Sequence, residues 1–164
     1  MKPLEILSNM KMIVLLAVAT GALALVIFFI KGDLQILDTK FFYLKSEIQP
    51  LFMLLGEDGR QVYQKINLID FAFMISYTLL FIGIYFSFFK NLAKSLIAVP
   101  LSLFLVDVVE TSIIYHLLNI FPETHNGLEY ALMLLTPFKW MLALSALLVV
   151  INGYFVNLYI RNSK

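Results

Sequence analysis

Residues 58–89 read DGRQVYQKINLIDFAFMISYTLLFIGIYFSFF, the pattern of a single helix that begins in water and ends in lipid. Asp58 is a good N-cap, and Gln61 three residues on completes a D-x-x-Q capping box. From there Arg60, Tyr63, Asn67, Asp70, Met74 and Tyr77 recur at spacings of three and four, which places them on one face. The remainder, including Phe71, Phe73, Ile75, Leu79, Leu80 and Phe81, is apolar enough for lipid. A membrane helix with one polar stripe requires polar partners on its neighbours, because lipid supplies none.

Composition agrees. Hydrophobic residues make up 61% of the 164-residue chain and the mean hydropathy is +0.89, above the range of soluble domains. One compact membrane domain over 1–164 is expected. With no Cys, disulfides and thiolate metal sites are excluded together. With His116 and His125 as the only histidines, a histidine-rich metal centre is not expected, and no cofactor is implied. A net charge of +1 without a basic run gives no case for nucleic acid.

Outward from 58–89, four spans are expected. The first is the uncharged run 12–30, about 28 Å of helix at ~1.5 Å per residue, the thickness of a hydrocarbon core. It is too long for a signal-peptide core, and no small-residue cleavage site follows it. The second is 59–89, the third 94–121 and the fourth 128–159. No internal repeat relates them. Between the first two lies an outer loop, 31–57. There Phe41, Leu44, Ile48, Leu51, Phe52 and Leu55 recur at helical spacing among charged residues. This pattern predicts an amphipathic helix within Thr39–Leu55, kinked near Pro50 and ended by Gly56. It would lie on the bilayer surface or cover the mouth of a polar interior. The fold class is therefore an all-α membrane protein: a four-helix antiparallel bundle with an amphipathic extracytoplasmic helix between its first two spans.

Basic residues set the orientation. Lys2, Lys11, Lys90, Lys94, Arg161 and Lys164 fall on one side, against the single acid Glu5. On the other side the long loop and the helix start that follows it, residues 31–65, balance five basic residues with five acids. The positive-inside rule then puts both termini in the cytoplasm of a multi-pass inner (plasma) membrane protein.

Four ionisable residues fall inside the predicted spans: Asp70, Asp107, Glu110 and Lys139. Each costs roughly 2.5–3.5 kcal/mol at a helix centre. Counting about 1.5 Å per residue from the outer end of each helix, Glu110 and Lys139 both lie about 16 Å deep, Asp107 about 21 Å and Asp70 about 5 Å. Glu110–Lys139 is the best-matched pair, with Asp107 a turn further in. Three acids against one base imply that a carboxyl is protonated or neutralised by a ligand. Asp70, Asp107, Glu110 and Lys139 are thus candidates for acid–base work. Arg60, Tyr63, Asn67, Tyr77, Thr136 and Trp140 are candidates for holding a ligand, with Arg60 placed to meet an anionic head group. The bland alternative is that the buried pair only fixes helix register and the threonines bond their own helices.

The motifs L-G-x-x-G-R-x-x-Y (Leu55 to Tyr63), L-x-D-x-x-F-x-x-x-Y (Leu68 to Tyr77), D-x-x-E-T (Asp107 to Thr111) and T-x-x-K-W (Thr136 to Trp140) resemble a set of bacterial four-helix integral membrane proteins. Thr111 stands where that set carries Asn. Leu37-Asp38-x-Lys40-Phe41 is similar to the start of the set's outer loop. The resemblance implies a four-helix membrane fold and a single constellation of these residues, and it brings no activity or substrate. Three functions stay open: a site that binds or processes a lipid or other amphiphile, a proton-coupled carrier or ion-pathway subunit, and a non-catalytic scaffold. Partners are accordingly the bilayer, an amphiphile ligand, and a second copy or another membrane protein.

Overall fold

A computed structural model describes residues 6–89 and 92–162, with side chains to 159. Lys2, Glu5, Lys90, Asn91 and Lys164, and the side chain of Arg161, which enter the orientation argument and its test, lie outside the described residues. The described residues are all-helical, 88% helix without strands, and among them four helices are long and apolar enough to span a membrane.

Helix α1 is Met10–Lys31; the Asn9 side chain accepts from the Lys11 N–H at 2.9 Å, and Gly32 closes the helix with φ 50°. Positive φ suits glycine there because it has no Cβ to clash. Helix α2 is Ile48–Phe89, interrupted at Gly56 (φ 64°). Helix α3 is Ala98–Ile120, preceded by the single helical turn Ala93–Leu96. The break between these two falls where Pro100 has no N–H to give the Leu96 carbonyl. Helix α4 is Asn126–Asn162 and carries Pro137 inside it.

Two details of the loop differ from expectation. No single amphipathic helix covers Thr39–Leu55. Leu37–Thr39 and Lys45–Glu47 are 3₁₀ turns, the residues between them are extended or irregular, and regular helix starts at Ile48. Pro50 therefore sits in a first turn, where its missing N–H has no partner to lose, and it starts the helix rather than kinking it. The second difference is the cap. Gly56 is the one non-helical residue, so the helix resumes at Glu57 and Asp58 falls within its first turn rather than at the N-cap. Glu57 and Asp58 there still complement the helix dipole.

Contacts fix how the helices run. Lys45 hydrogen-bonds Asn126, and Gln49 Nε2 donates to Glu129 at 2.9 Å, so the long loop and the α3–α4 turn share one end. At the opposite end, a Cβ on Gly83 would lie 2.6 Å from the Leu7 carbonyl oxygen, and one on Gly153 would meet the rings of Phe88 and Phe89. Successive helices are thus antiparallel. One apolar cluster holds the loop end, with Leu37, Ile48, Phe52, Tyr63, Ile114 and Leu117 among its buried members. A second, around Met74, Leu103 and Ala146, lies deeper. Along α2 the rings of Phe73, Tyr77, Phe81, Tyr85 and Phe89 follow one another at 5.4–6.4 Å. Each such pair is worth about 0.5–1.5 kcal/mol beyond burial. All five rings lie on one helix at i, i+4 spacing, so these contacts stiffen α2 itself rather than join it to its neighbours.

Candidate functional site

Lys139 on α4 reaches across to α3, where its Nζ lies 2.5 Å from Glu110 Oε2 and 3.3 Å from Asp107 Oδ1. Glu110 is fully buried; Asp107 and Lys139 are 7% and 8% exposed. These spacings have a simple origin. Asp107 and Glu110 are three residues apart on one helix face, and the long lysine stem lets one ammonium serve both. Removing one partner of such a pair costs about 3–5 kcal/mol, because a charge is left buried without compensation.

Hydroxyls extend the pair in both directions. The Tyr77 hydroxyl donates to Asp107 Oδ2 at 2.8 Å. On the other side Thr136 Oγ1 bonds Glu110 and lies 2.9 Å from the Tyr43 hydroxyl. Tyr43, Thr136, Glu110, Lys139, Asp107 and Tyr77 thus form one continuous chain of polar contacts, from the loop end inward. Thr111 Oγ1 donates to Asp70 Oδ2 at 3.3 Å. Asp70 therefore sits level with the residue after Glu110, and not some 10 Å above it as residue counts at ~1.5 Å imply. Counting each helix from its own end separates the two residues, but those ends are not level.

The loop supplies a carboxyl that residue patterns did not single out. Tyr63, completely buried, donates to Asp38 Oδ2 at 2.8 Å and accepts from the Leu37 N–H at 3.0 Å. Asp38 Oδ1 is enclosed and has no hydrogen-bond partner among the described residues. Burial pushes the Asp38 carboxyl above the usual carboxylate range, while the Lys139 ammonium and the Tyr63 hydrogen bond pull it back. The only sequence signal for Asp38 was the Leu37-Asp38-x-Lys40-Phe41 segment, which reads as ordinary loop until Tyr63 and the cavity are seen beside it. Tyr43 was missed for the same reason.

Together these groups form the polar end of a cavity of about 460 Å³, within the range of drug-sized ligand sites. Asp38, Asp70, Tyr77, Asp107, Lys139 and Trp140 line it, beside apolar walls that include Ala24 and Ile27 of α1, Phe81 of α2, Leu103 of α3 and Ala143 of α4. Its α2 wall runs from Ile66 to Phe81, about 22 Å at ~1.5 Å per residue, so the space is long and narrow. Helix α1 packs along α2 and makes no comparable packing with α3 or α4. The cavity's α1 wall (Ala24, Ile27) and its α4 wall (Trp140, Ala143) thus belong to helices that do not pack together.

Several predicted ligand-holding residues do other work. Arg60 is turned away from the cavity: its Nη1 donates to the Phe52 carbonyl at 3.0 Å and its guanidinium lies 4.3 Å from the Phe121 ring centroid. It bridges the helix break at Gly56 and does not line the cavity. Asn67 is fully buried, does not line the cavity, and has neither amide atom hydrogen-bonded among the described residues. Trp140 lines the cavity while its Nε1 donates to the Lys40 carbonyl at 3.0 Å and its ring stacks on Phe41. Thr136 is completely buried behind Glu110 and does not face the space. Among the described residues, no three His, Asp or Glu side chains are grouped to hold a metal.

Fold and site together define an all-helical protein whose four long apolar helices are suited to crossing a membrane, with ionisable groups gathered around an internal cavity. Compared with family models, curated proteins and solved structures, the chain matches none.

Proposed function

We propose that this is a multi-pass protein of the bacterial inner (plasma) membrane that binds, or binds and processes, a lipid or other single-chain amphiphile. The observation that carries this reading is the form of the cavity. It is elongated and apolar along most of its walls, and Asp38, Asp70, Asp107 and Lys139 line the half nearer the loop. A polar head would seat against those groups while an acyl or isoprenoid chain lies along Phe81, Leu103 and Ala143. The ligand would reach the cavity sideways from the bilayer, between α1 and α4, where the two helices do not pack together. The carboxyls and the lysine give acid–base capacity next to the head group.

Both termini are assigned to the cytoplasm by the positive-inside rule, which puts the loop end and its polar cluster at the outer face. Exposed Phe41, Phe42, Leu44, Met53 and Leu54 are then placed to rest in the outer leaflet's interface. Because the chain has no native Cys, single cysteines report topology cleanly. Glu47→Cys should react with an impermeant maleimide in intact cells and Asn91→Cys only after permeabilisation; the reverse would invert the assignment.

The ligand itself is tested by mass spectrometry of lipids extracted from protein purified in mild detergent. An amphiphile enriched with the wild type should be lost from the cavity-filling variant Ala143→Phe, provided that variant keeps wild-type helicity and melting temperature. Identical lipid content in both proteins would sink the reading.

A further inference from the structure

The charges at the polar end of the cavity are unbalanced. Four carboxyls, on Asp38, Asp70, Asp107 and Glu110, gather around one ammonium, and two of them already hold it. What Asp38 and Asp70 receive from the protein are hydroxyl hydrogen bonds, from Tyr63 and Thr111. Asp38 Oδ1 receives nothing from the described residues although it is enclosed. Of the other cations at this end, Arg60 is committed to the Phe52 carbonyl and the Phe121 ring, Lys40 to Glu47 and Lys45 to Glu129. An anion brought here would find no uncommitted cation on the cavity wall, and each carboxyl that is ionised would repel it in surroundings where water does little to screen the charge. A donor brought here would find the carboxyl of Asp70, which lines the cavity, is only partly buried and takes a hydroxyl hydrogen bond from Thr111 on one oxygen.

We propose that the head group seated at this end donates hydrogen bonds and carries no negative charge. Alcohol- or amine-headed amphiphiles are the class it takes, and phosphate-, sulfate- and carboxylate-headed lipids are turned away. The proposal rests on reading the cavity as an amphiphile site. It reverses the expectation, built on Arg60, of an anionic head. The same imbalance explains why Lys139, the one cation on the cavity wall, does not make this an anion site: its charge is spent on Asp107 and Glu110.

Trp140 is the only tryptophan in the chain and lines the cavity, so its fluorescence reports occupancy directly. Wild-type protein in phosphatidylcholine vesicles at neutral pH would be titrated with three single-chain quenchers that differ only in the head: dibromo-octadecanol, dibromo-octadecylamine and dibromo-octadecyl phosphate. The alcohol or the amine, whichever is better, should reach half-maximal quenching at about a tenfold lower mole fraction than the phosphate. In the Asp38→Asn/Asp70→Asn variant the gap should shrink severalfold, because two of the repelling carboxyls are gone. A wild-type gap below threefold, or a phosphate that quenches first, overturns the head-group assignment while leaving an amphiphile site in place. If all three quench alike and Ala143→Phe changes nothing, the quenching comes from bulk lipid, and the amphiphile reading falls with the proposal.

Discussion

Helix α1 has no buried residue, whereas α2, α3 and α4 each contribute buried polar side chains to a shared network. Among the described residues, one side-chain hydrogen bond ties α1 to the rest by way of polar atoms: Thr20 Oγ1 and Ser76 Oγ, 2.7 Å apart, with Thr20 also donating to the Leu16 carbonyl at 2.7 Å, so that Ser76 is the donor between them. The three other helices are held by charges and hydroxyls whose partners are scarce in lipid, and that makes their arrangement specific. Helix α1 is held by shape, and shape is easier to give up. The difference divides the molecule into a fixed three-helix part carrying the chemistry and a fourth helix that closes one wall of the cavity.

The sharpest way to break this comparison is to attack the fixed part at Lys139. Lys139→Met leaves Glu110 and Asp107 without their cation and should cost about 3–5 kcal/mol of stability, read as a large drop in melting temperature in detergent. Glu110→Leu/Lys139→Met should recover part of the loss, and adding Asp107→Asn the greater part of the remainder, since Lys139 holds both acids. Strict additivity of the single changes would show that the groups do not interact, and the division would fail.

A smaller effect is expected where α2 meets the segment leading into α1. Gly83→Ala would drive a methyl to 2.6 Å from the Leu7 carbonyl oxygen, an overpacking of backbone that costs about 1–3 kcal/mol. On α1 itself, a Cβ at Gly21 meets nothing within 4 Å, so Gly21→Ala should be neutral or stabilise by up to about 1 kcal/mol through helix propensity. Thermal unfolding of the two variants side by side checks the contrast. A Gly21→Ala protein destabilised as much as Gly83→Ala would mean that α1 packs far more closely than its exposure indicates.

The smallest effect belongs to the polar tie. Thr20→Val removes one interhelical hydrogen bond, and such bonds average about 0.6 kcal/mol in membrane proteins. The melting temperature should barely move, while maleimide labelling of a cysteine placed on the cavity wall, Ala143→Cys, should be faster in the Thr20→Val background than without it. A loss comparable with that of Lys139→Met would place α1 inside the fixed part.

Much of this protein is legible without coordinates. Four long apolar runs, an uncharged first helix and charges confined to the later three follow from residue order alone, because lipid punishes an unpaired charge wherever the chain then folds. The pairing of Lys139 with Glu110 was readable too, since Lys139 is the one cation far from the ends of the spans and two acids stand near its depth. The level of Asp70 was not legible, because helix ends are not depth markers. Nor was the course of the loop. The spacing of Phe41, Leu44 and Ile48 reads as helix, yet the Tyr63 hydroxyl takes the Leu37 N–H and Trp140 takes the Lys40 carbonyl, holding that stretch in place without a helical ladder. Arg60 looked free for a ligand until Phe52 and Phe121 were seen beside it. Residue order determined which groups must find partners. Only the tertiary structure decided which partners they found, because hydrogen bonds and ion pairs depend on positions that residues distant in the chain set for one another.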